Sequence, residues 1–376
     1  MSKPTPNSSE PPVARHQNPR PLVGITMGDP AGIGPEVIAK ALADPQIRRL
    51  GRFIIYGLNE VFEYAADQAE LNPYWFRLPH ELATRIQTGV VVADFDDLSL
   101  GVPLLHQPGH RTGEASMRFL NAAIKSARQG LLEAIVTGPI CKESWSLAGY
   151  RWPGHTEKLA SAFACRRVTM MFVADRLRVA LASIHEPLFD LRNSFTIGRV
   201  FQPIDLMGDA LIHWFGIPRP RIAVCGLNPH ASENGMFGDE ERRIIEPAIV
   251  MAREAGWDAQ GPFPADTVFW RASKGHFDGV VAMYHDQGLI PVKLLAFESA
   301  CQITLGLPVI RSSVDHGTAF DIAGQDKANP ESMKTAIRLA CELALHNRNR
   351  PAIHEHPPAQ DPTEPLTTSI ESADDE

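Results

Sequence analysis

Short apolar runs punctuate this chain, and most of them lead into a turn followed by an amphipathic stretch. The runs lie at residues 21–26 (PLVGIT), 52–57 (RFIIYG), 134–139 (AIVTGP), 168–173, 178–184, 221–225 (RIAVC) and 278–283 (DGVVAM). Helical spacing of apolar residues appears between them, at about 35–42, 112–130, 239–255 and 330–347. Strands that are apolar on both sides must be covered on both faces, and crossover helices supply that cover. The alternation therefore predicts an α/β protein with a mostly parallel sheet. In such sheets ligands bind beyond the strand ends, so residues just past each run are the first candidates for function.

Composition narrows the class further. Hydrophobic residues make up 44% and charged residues 21% of the 376 positions, enough apolar mass for a core. Residues 1–20 and 350–376 are rich in Pro and polar groups, the second stretch ending in ESADDE, and both read as disordered tails. The folded body then spans about 21–349. With 36 Lys+Arg against 44 Asp+Glu the net charge is −8, which argues against nucleic acid or an anionic membrane as a partner. No window approaches the roughly 18 apolar residues of a membrane span, and the N-terminus carries no apolar signal core. The five cysteines (Cys141, Cys165, Cys225, Cys301, Cys341) are scattered and never form CxxC. That pattern fits reduced thiols in a cytoplasmic protein.

Five constellations follow the strands. Gly28-Asp29-Pro30-Ala31-Gly32-Ile33-Gly34-Pro35-Glu36 links a strand to a helix but matches neither GxGxxG nor GxxxxGK[ST]. It reads as a tight turn with Pro35 at the helix start, or as backbone that a ligand can approach closely. His185, His230 and His285 each sit just past an apolar run. Three imidazoles at equivalent strand ends can converge on a divalent ion such as Zn²⁺, Co²⁺ or Mn²⁺, with Asp266 and Asp286 near them in sequence. Gly154-His155-Thr156-Glu157 reads as a loop entering a helix, with Thr156 near the N-cap and an anion site as the alternative. Lys293 and Arg311 flank Gln302 at equal spacing. Arg311 ends an apolar run, so it points into a cleft, and a buried Arg needs either an internal carboxylate or an anionic ligand. The last string, Asp315-His316-Gly317-Thr318-Ala319-Phe320-Asp321-Ile322-Ala323-Gly324 with Ala328-Asn329-Pro330, resembles the adenosine-binding loop of isocitrate and isopropylmalate dehydrogenases.

MGDPAGIGPE, TGPICKE, PGHTE, GLNPHASENGMFGDEE, GPFPADT, AMYHDQG and SVDHGTAFDIAG occur in order. Together they resemble the 4-hydroxythreonine-4-phosphate dehydrogenase family over about residues 21–345. The resemblance implies two α/β/α domains flanking an active-site cleft, similar to isocitrate and isopropylmalate dehydrogenases. Residues 21–150 plus 305–349 would form the first domain, and 151–304 the second, with metal and dimer contacts. It also implies a homodimer whose metal site is shared between subunits. His185, His230 and His285 would hold one divalent ion (Zn, Co, Mn or Mg). His155, Thr156, Lys293, Gln302 and Arg311 would bind a small phosphorylated hydroxy acid. His316, Gly317, Thr318, Ala319 and Asn329 would bind NAD or NADP. The family usually has Asn where this chain has Gln302.

The implied reaction is oxidation of 4-phosphooxy-L-threonine at C3, followed by decarboxylation to 3-amino-2-oxopropyl phosphate for pyridoxal 5'-phosphate synthesis. Lys293, Asp266 and Asp286 are all candidates for the proton transfer. D-threonate or D-erythronate 4-phosphate, or a dihydrodiol dicarboxylate, is the alternative substrate on the same scaffold. A metal-dependent phosphatase or a non-catalytic binding module would leave the DHGTAFDIAG loop without a role.

Overall fold

The computed structural model describes residues 19–348 apart from 86–88, 99 and 101–103. The disordered tails expected at 1–20 and 350–376 lie outside the described residues, except for Pro19 and Arg20. Among the described residues, twelve strands build one sheet: β1 Leu22–Thr26, β2 Arg52–Gly57, β3 Phe76–Pro79, β4 Val90–Asp94, β5 Ala134–Thr137, β6 Thr169–Ala174, β7 Leu177–Leu181, β8 Arg221–Cys225, β9 Asp258–Phe263, β10 Gly279–Ala282, β11 Cys301–Leu305 and β12 Ile310–Val314. Their spatial order is β3-β4-β2-β1-β5-β12-β11-β6-β7-β10-β8-β9. Strands from 21–150 and 310–314 therefore occupy one half of the sheet, and strands from 169–305 occupy the other.

Pairing is parallel within each flank and antiparallel where the halves meet, at β12–β11, β11–β6 and β6–β7. The α/β class and the mostly parallel sheet expected from the apolar runs are both observed. Each central run is buried along its whole length, as in β1, β2, β4 and β5. The helices expected from apolar spacing are Gly34–Ala43, His110–Arg128, Glu246–Glu254 and Glu331–Asn347. Pro35 does sit in the first turn of its helix. The stretch 239–255 is not one regular helix: Glu241–Ile245 is a π-turn before the helix Glu246–Glu254 begins.

Five strands carried no clear signal. β3 is a short, mostly exposed edge ending in Pro. β9 is the opposite edge, interrupted by Gly261-Pro262 and a register shift against β8. β4 (VVVAD) is a buried apolar run outside those named above, β11 (CQITL) alternates polar with apolar residues, and β12 (IRSSV) has three polar residues in a row.

Glu133, just before β5, ties the start of the sheet to the end of the last helix. Its Oε1 accepts from the Leu22 amide at 3.0 Å, and its two oxygens take the Arg348 guanidinium at 2.6 and 3.0 Å. Glu133→Ala leaves the buried Leu22 N–H unpaired and is expected to cost about 2 kcal/mol. A thermal melt lowered by several degrees checks this; an unchanged midpoint would make the pair ornamental.

Candidate active site

The floor of a cleft is built where β5, β12, β11 and β6 lie side by side. The β11–β12 pairing sets Gln302 opposite Ser313 and Ile303 opposite Ser312. Side chains alternate along a strand, so Gln302, Thr304, Arg311 and Ser313 share one face. Arg311 is only 3% exposed. Its two terminal nitrogens donate to Gln302 Oε1 at 2.6 Å, Thr304 Oγ1 at 3.0 Å and Thr137 Oγ1 at 2.7 Å. Ser313 Oγ donates to the same Gln302 oxygen at 2.8 Å. Every acceptor is neutral, and Arg311 Nε has no partner. Burial pulls the guanidinium pKa down to about 9, against a weak opposing pull from Glu157, so it stays charged at neutral pH. The expected alternatives for Arg311 were an internal carboxylate or a ligand. Among the described residues, no carboxylate touches it.

The wall opposite comes from the helix His155–Ala162. Its N-cap is Gly154, with no side-chain cap, so the capping expected of Thr156 is not made. Thr156 is instead a buried residue of the first turn. The free amides of that turn remain available for an anion. His155 stands edge-on to Trp145, ring centroids 5.6 Å apart, and its buried Nε2 has no partner. Burial, then the charge of Arg311, holds its pKa well below the ordinary histidine value, so the ring is neutral. Thr137, Lys142, Glu157, Met170, His185 and His316 complete the lining. Lys142, Glu157 and Thr137 were not singled out by sequence reasoning. All three lie inside motifs quoted above, Thr137 and Lys142 in TGPICKE and Glu157 in PGHTE, and that was the signal that could have found them. A second cavity, beside Pro30, Glu36, Val61, Gln68, Leu104 and His106, is mainly apolar and gathers none of these groups.

β7, β10 and β8 are adjacent and parallel, which sets their C-terminal ends in a row. Two of the three histidines expected there do meet: the rings of His185 and His285 are 5.9 Å apart between centroids. Burial, then Lys142 and His285, lowers the His185 pKa, which favours the neutral imidazole that metals bind. His285 Nδ1 lies 2.7 Å from Asp286 Oδ1. A carboxylate accepts from that nitrogen and leaves Nε2 with its lone pair outward, an arrangement common behind metal-ligating histidines. The donor set of this pair therefore fits a divalent ion.

His230 is elsewhere. It rides on the segment Pro229–Gly235, near Phe237 at 6.4 Å between rings. Among the described residues of one chain, no group of three His, Cys, Asp or Glu side chains can hold a metal. His230, Ala231, Ser232, Glu233 and Asn234 all have φ between 44° and 66°. Left-handed backbone costs a non-glycine residue roughly 1–2 kcal/mol, so five in a row must be held by their surroundings.

The three candidates for proton transfer do not line the cleft. Lys293, on the helix His285–Ala296, pairs with Asp315 at 2.8 Å and is 36% exposed. Asp266 is exposed in the first turn of the helix Ala265–Ser273, and Asp286 is occupied by His285.

The loop after β12 borders the same cleft. His316 Nε2 is buried without a partner, and nothing lies within 4 Å of where a Gly317 side chain would begin. Thr318 is packed against Gly32, where a Cβ would meet it at 2.8 Å, and its carbonyl accepts from the Ile33 amide at 2.9 Å. The two loops singled out in the sequence are thus one surface. Ala319 has φ 42°, and Asn329 Oδ1 accepts from the Glu331 amide at 3.0 Å, at the start of the last helix. The open Gly317 backbone and the unpartnered Nε2 of His316, whose Nδ1 lies 2.9 Å from the Gly317 carbonyl, fit a bound dinucleotide.

The family described as pyridoxal phosphate biosynthetic protein PdxA matches residues 49–340. A 4-hydroxythreonine-4-phosphate dehydrogenase of Geobacter metallireducens is 42% identical over 87% of this chain and 96% of its own. A D-threonate 4-phosphate dehydrogenase of Cupriavidus necator is 44% identical over 86% of this chain and 97% of its own. The crystal structure of 4-hydroxythreonine-4-phosphate dehydrogenase from Klebsiella pneumoniae superposes with a TM-score of 0.77 at 39% identity, covering 86% of this chain and 99% of that one. No helix among the described residues is long and apolar enough to cross a membrane. The ordered motifs, the twelve-stranded sheet and these full-length similarities lead to one conclusion: the chain belongs to the PdxA family of dehydrogenases.

Proposed function

We propose that this cytoplasmic enzyme oxidises the C3 hydroxyl of 4-phosphooxy-L-threonine with NAD or NADP. The product, 2-amino-3-oxo-4-phosphooxybutanoate, loses CO₂ to give 3-amino-2-oxopropyl phosphate, a precursor of pyridoxal 5'-phosphate. Arg311 carries this reading: a buried guanidinium held only by neutral oxygens, at the floor of a cleft where the buried Nε2 atoms of His155 and His316 also lack partners. An uncompensated buried charge calls for an anionic ligand, and a phosphorylated hydroxy acid supplies one at each end. Arg311, Gln302, His155 and Thr156 fix those ends and so orient the reacting carbon. Lys293, Asp266 and Asp286 stay as candidates for accepting the hydroxyl proton.

His185 and His285, with His230 of the partner subunit, would hold the divalent ion. When bound, such an ion acidifies the C3 hydroxyl and draws electrons from the carbonyl that replaces it. His316, Gly317, Thr318, Ala319 and Asn329 would hold the nicotinamide cofactor, which accepts the C3 hydride. A homodimer is supported by where the exposed apolar residues lie. Phe189 follows His185, Met236 and Phe237 follow His230, and Ile290, Leu294 and Phe297 lie on or just past the helix that His285 begins; all are more than 40% exposed. The two halves of the sheet, 21–150 with 305–349 and 151–304, serve as the two domains in this reading.

Gln302, where the family usually has Asn, leaves room for a second substrate, D-threonate or D-erythronate 4-phosphate. Its oxygen is taken by Arg311 and Ser313, while its N–H₂ makes only long bonds of 3.4 Å, to the Ile303 carbonyl and Thr304 Oγ1, so the N–H₂ is the end that a ligand can engage. Absorbance of reduced nicotinamide, followed with each phosphorylated acid and a divalent metal, decides between them. Turnover of the amino acid, stopped by a chelator and restored by metal, is expected. Turnover of the sugar acids alone would replace the substrate and keep the hydride chemistry.

A further inference from the structure

The loop that carries His230 has a feature of its own. Its five left-handed residues contain no glycine, so the conformation is imposed from outside the loop. The bonds that close the turn include Ala231 N to Asn228 O at 3.1 Å, Phe237 N to Ser232 O at 3.1 Å, and Met236 N to Glu233 O at 3.3 Å. The short bonds are at its root. Glu241, 1% exposed, accepts from the amides of Leu227 and Asn228 at 2.8 and 2.7 Å through one oxygen. Its other oxygen accepts from Asn228 Nδ2 at 2.9 Å, and that amide also reaches Glu240 at 2.8 Å. There is no slack in this packing. A side chain at Gly226 would meet Ala231 Cα at 2.8 Å and Glu241 Oε1 at 3.1 Å.

The root is also joined to the neighbouring histidine. Gln287, in the first turn of the helix that His285 begins, accepts from the Met283 amide at 2.7 Å and donates to the Gly226 carbonyl at 2.8 Å. A polar chain therefore runs from the His285 helix through Gln287 and Gly226 to Leu227, Asn228 and Glu241. His230 itself stays outside, exposed on a loop whose Met236 is 74% exposed.

We propose that Glu241 is a positioning residue for the metal centre: it anchors the left-handed turn so that His230 projects, ready-made, towards a site on another copy of the chain. This rests on the assignment of His230 as a ligand made above. A ligand offered across an interface has to be held by its own subunit before the metal arrives, and partners of this kind are commonly worth 10- to 100-fold in metal affinity.

The test is Co²⁺ binding to the full-length, metal-stripped enzyme, read by the visible absorption of the ion, beside NAD⁺ affinity and a thermal melt. Glu241→Gln keeps the shape but turns an N–H₂ towards Asn228 Nδ2, donor against donor. It is expected to weaken Co²⁺ binding by 10- to 100-fold and leave NAD⁺ affinity within about twofold. His230→Ala is the reference. If it binds Co²⁺ like the wild type, the ligand assignment itself falls. If it loses Co²⁺ while Glu241→Gln keeps wild-type affinity, the positioning role is wrong and the metal reading stands. Should Glu241→Gln fail to fold, Asn228→Ala takes its place. It removes the amide between Glu240 and Glu241 and leaves no backbone group unpaired. It is expected to weaken Co²⁺ about tenfold, and wild-type affinity there overturns the proposal.

Discussion

Replacing Arg311 with alanine is expected to lower kcat/KM for the phosphorylated substrate by about two to three orders of magnitude while NAD⁺ affinity changes less than about twofold. Losing one partner of a buried charge-assisted contact costs roughly 2–5 kcal/mol, and each 1.4 kcal/mol is tenfold. The cost falls on the substrate because Arg311 has no carboxylate of its own to release. Arg311→Lys should rescue little, since one ammonium cannot reach Gln302, Thr304, Thr137 and a ligand together. Stability should move the other way. Burial depresses the Arg311 pKa, so the charged form is a penalty to folding at neutral pH. That penalty is present below the folded pKa of about 9 and is relieved as pH rises through it towards the higher unfolded value. Arg311→Met is therefore expected to melt no lower than the wild type. Equal weakening of substrate and NAD⁺, with a lower melt, would make Arg311 a structural residue.

His230→Ala is expected to abolish metal-dependent turnover and leave the melt nearly unchanged, because the side chain is exposed. The stronger test uses two dead enzymes. His185→Ala and His230→Ala damage opposite sides of a shared site, so a mixed dimer has one site with both lesions and one with neither. Unfolding and refolding equal amounts together should restore about a quarter of wild-type activity from two inactive parents. No recovery, with mixed dimers demonstrated, would place all the ligands in one subunit. Full activity of His230→Ala alone would remove it from the metal centre.

Much of the fold was readable because the central strands are apolar throughout. A run such as RFIIYG has no solvent face to confuse its period. β11 was harder: Cys301-Gln302-Ile303-Thr304-Leu305 sends alternate residues into the cleft, so it reads as half polar although all five are buried. The equal spacing of Lys293, Gln302 and Arg311 suggested a common site, but spacing was not the cause. Gln302 and Arg311 meet because a turn at Gly306 folds β11 back on β12, whereas Lys293 lies on a helix beside Asp315. Of the histidines, His185 and His285 could be paired from their strand ends. The left-handed turn under His230 could not, since Asn-Pro-His-Ala-Ser-Glu-Asn holds no glycine to announce positive φ. Glu241 was invisible for a related reason. A carboxylate at a helix start is ordinary, and only the folded chain shows it bonded to two amides across a strand end.

The meeting of the two halves of the sheet has an evolutionary consequence. Gln302, Thr304, Arg311 and Ser313 stand on the cleft side of two paired strands, while Ile303 is packed in the core and Ser312 bonds to the last helix through the Ala336 carbonyl. The histidines hang from separate loops beyond other strands. A lineage can therefore rewrite a few side chains on that platform and change its diet without disturbing the loops that carry the chemistry. Selection for a new phosphorylated acid would leave its record at alternate positions of β11 and β12, and Gln302 stands at one of them.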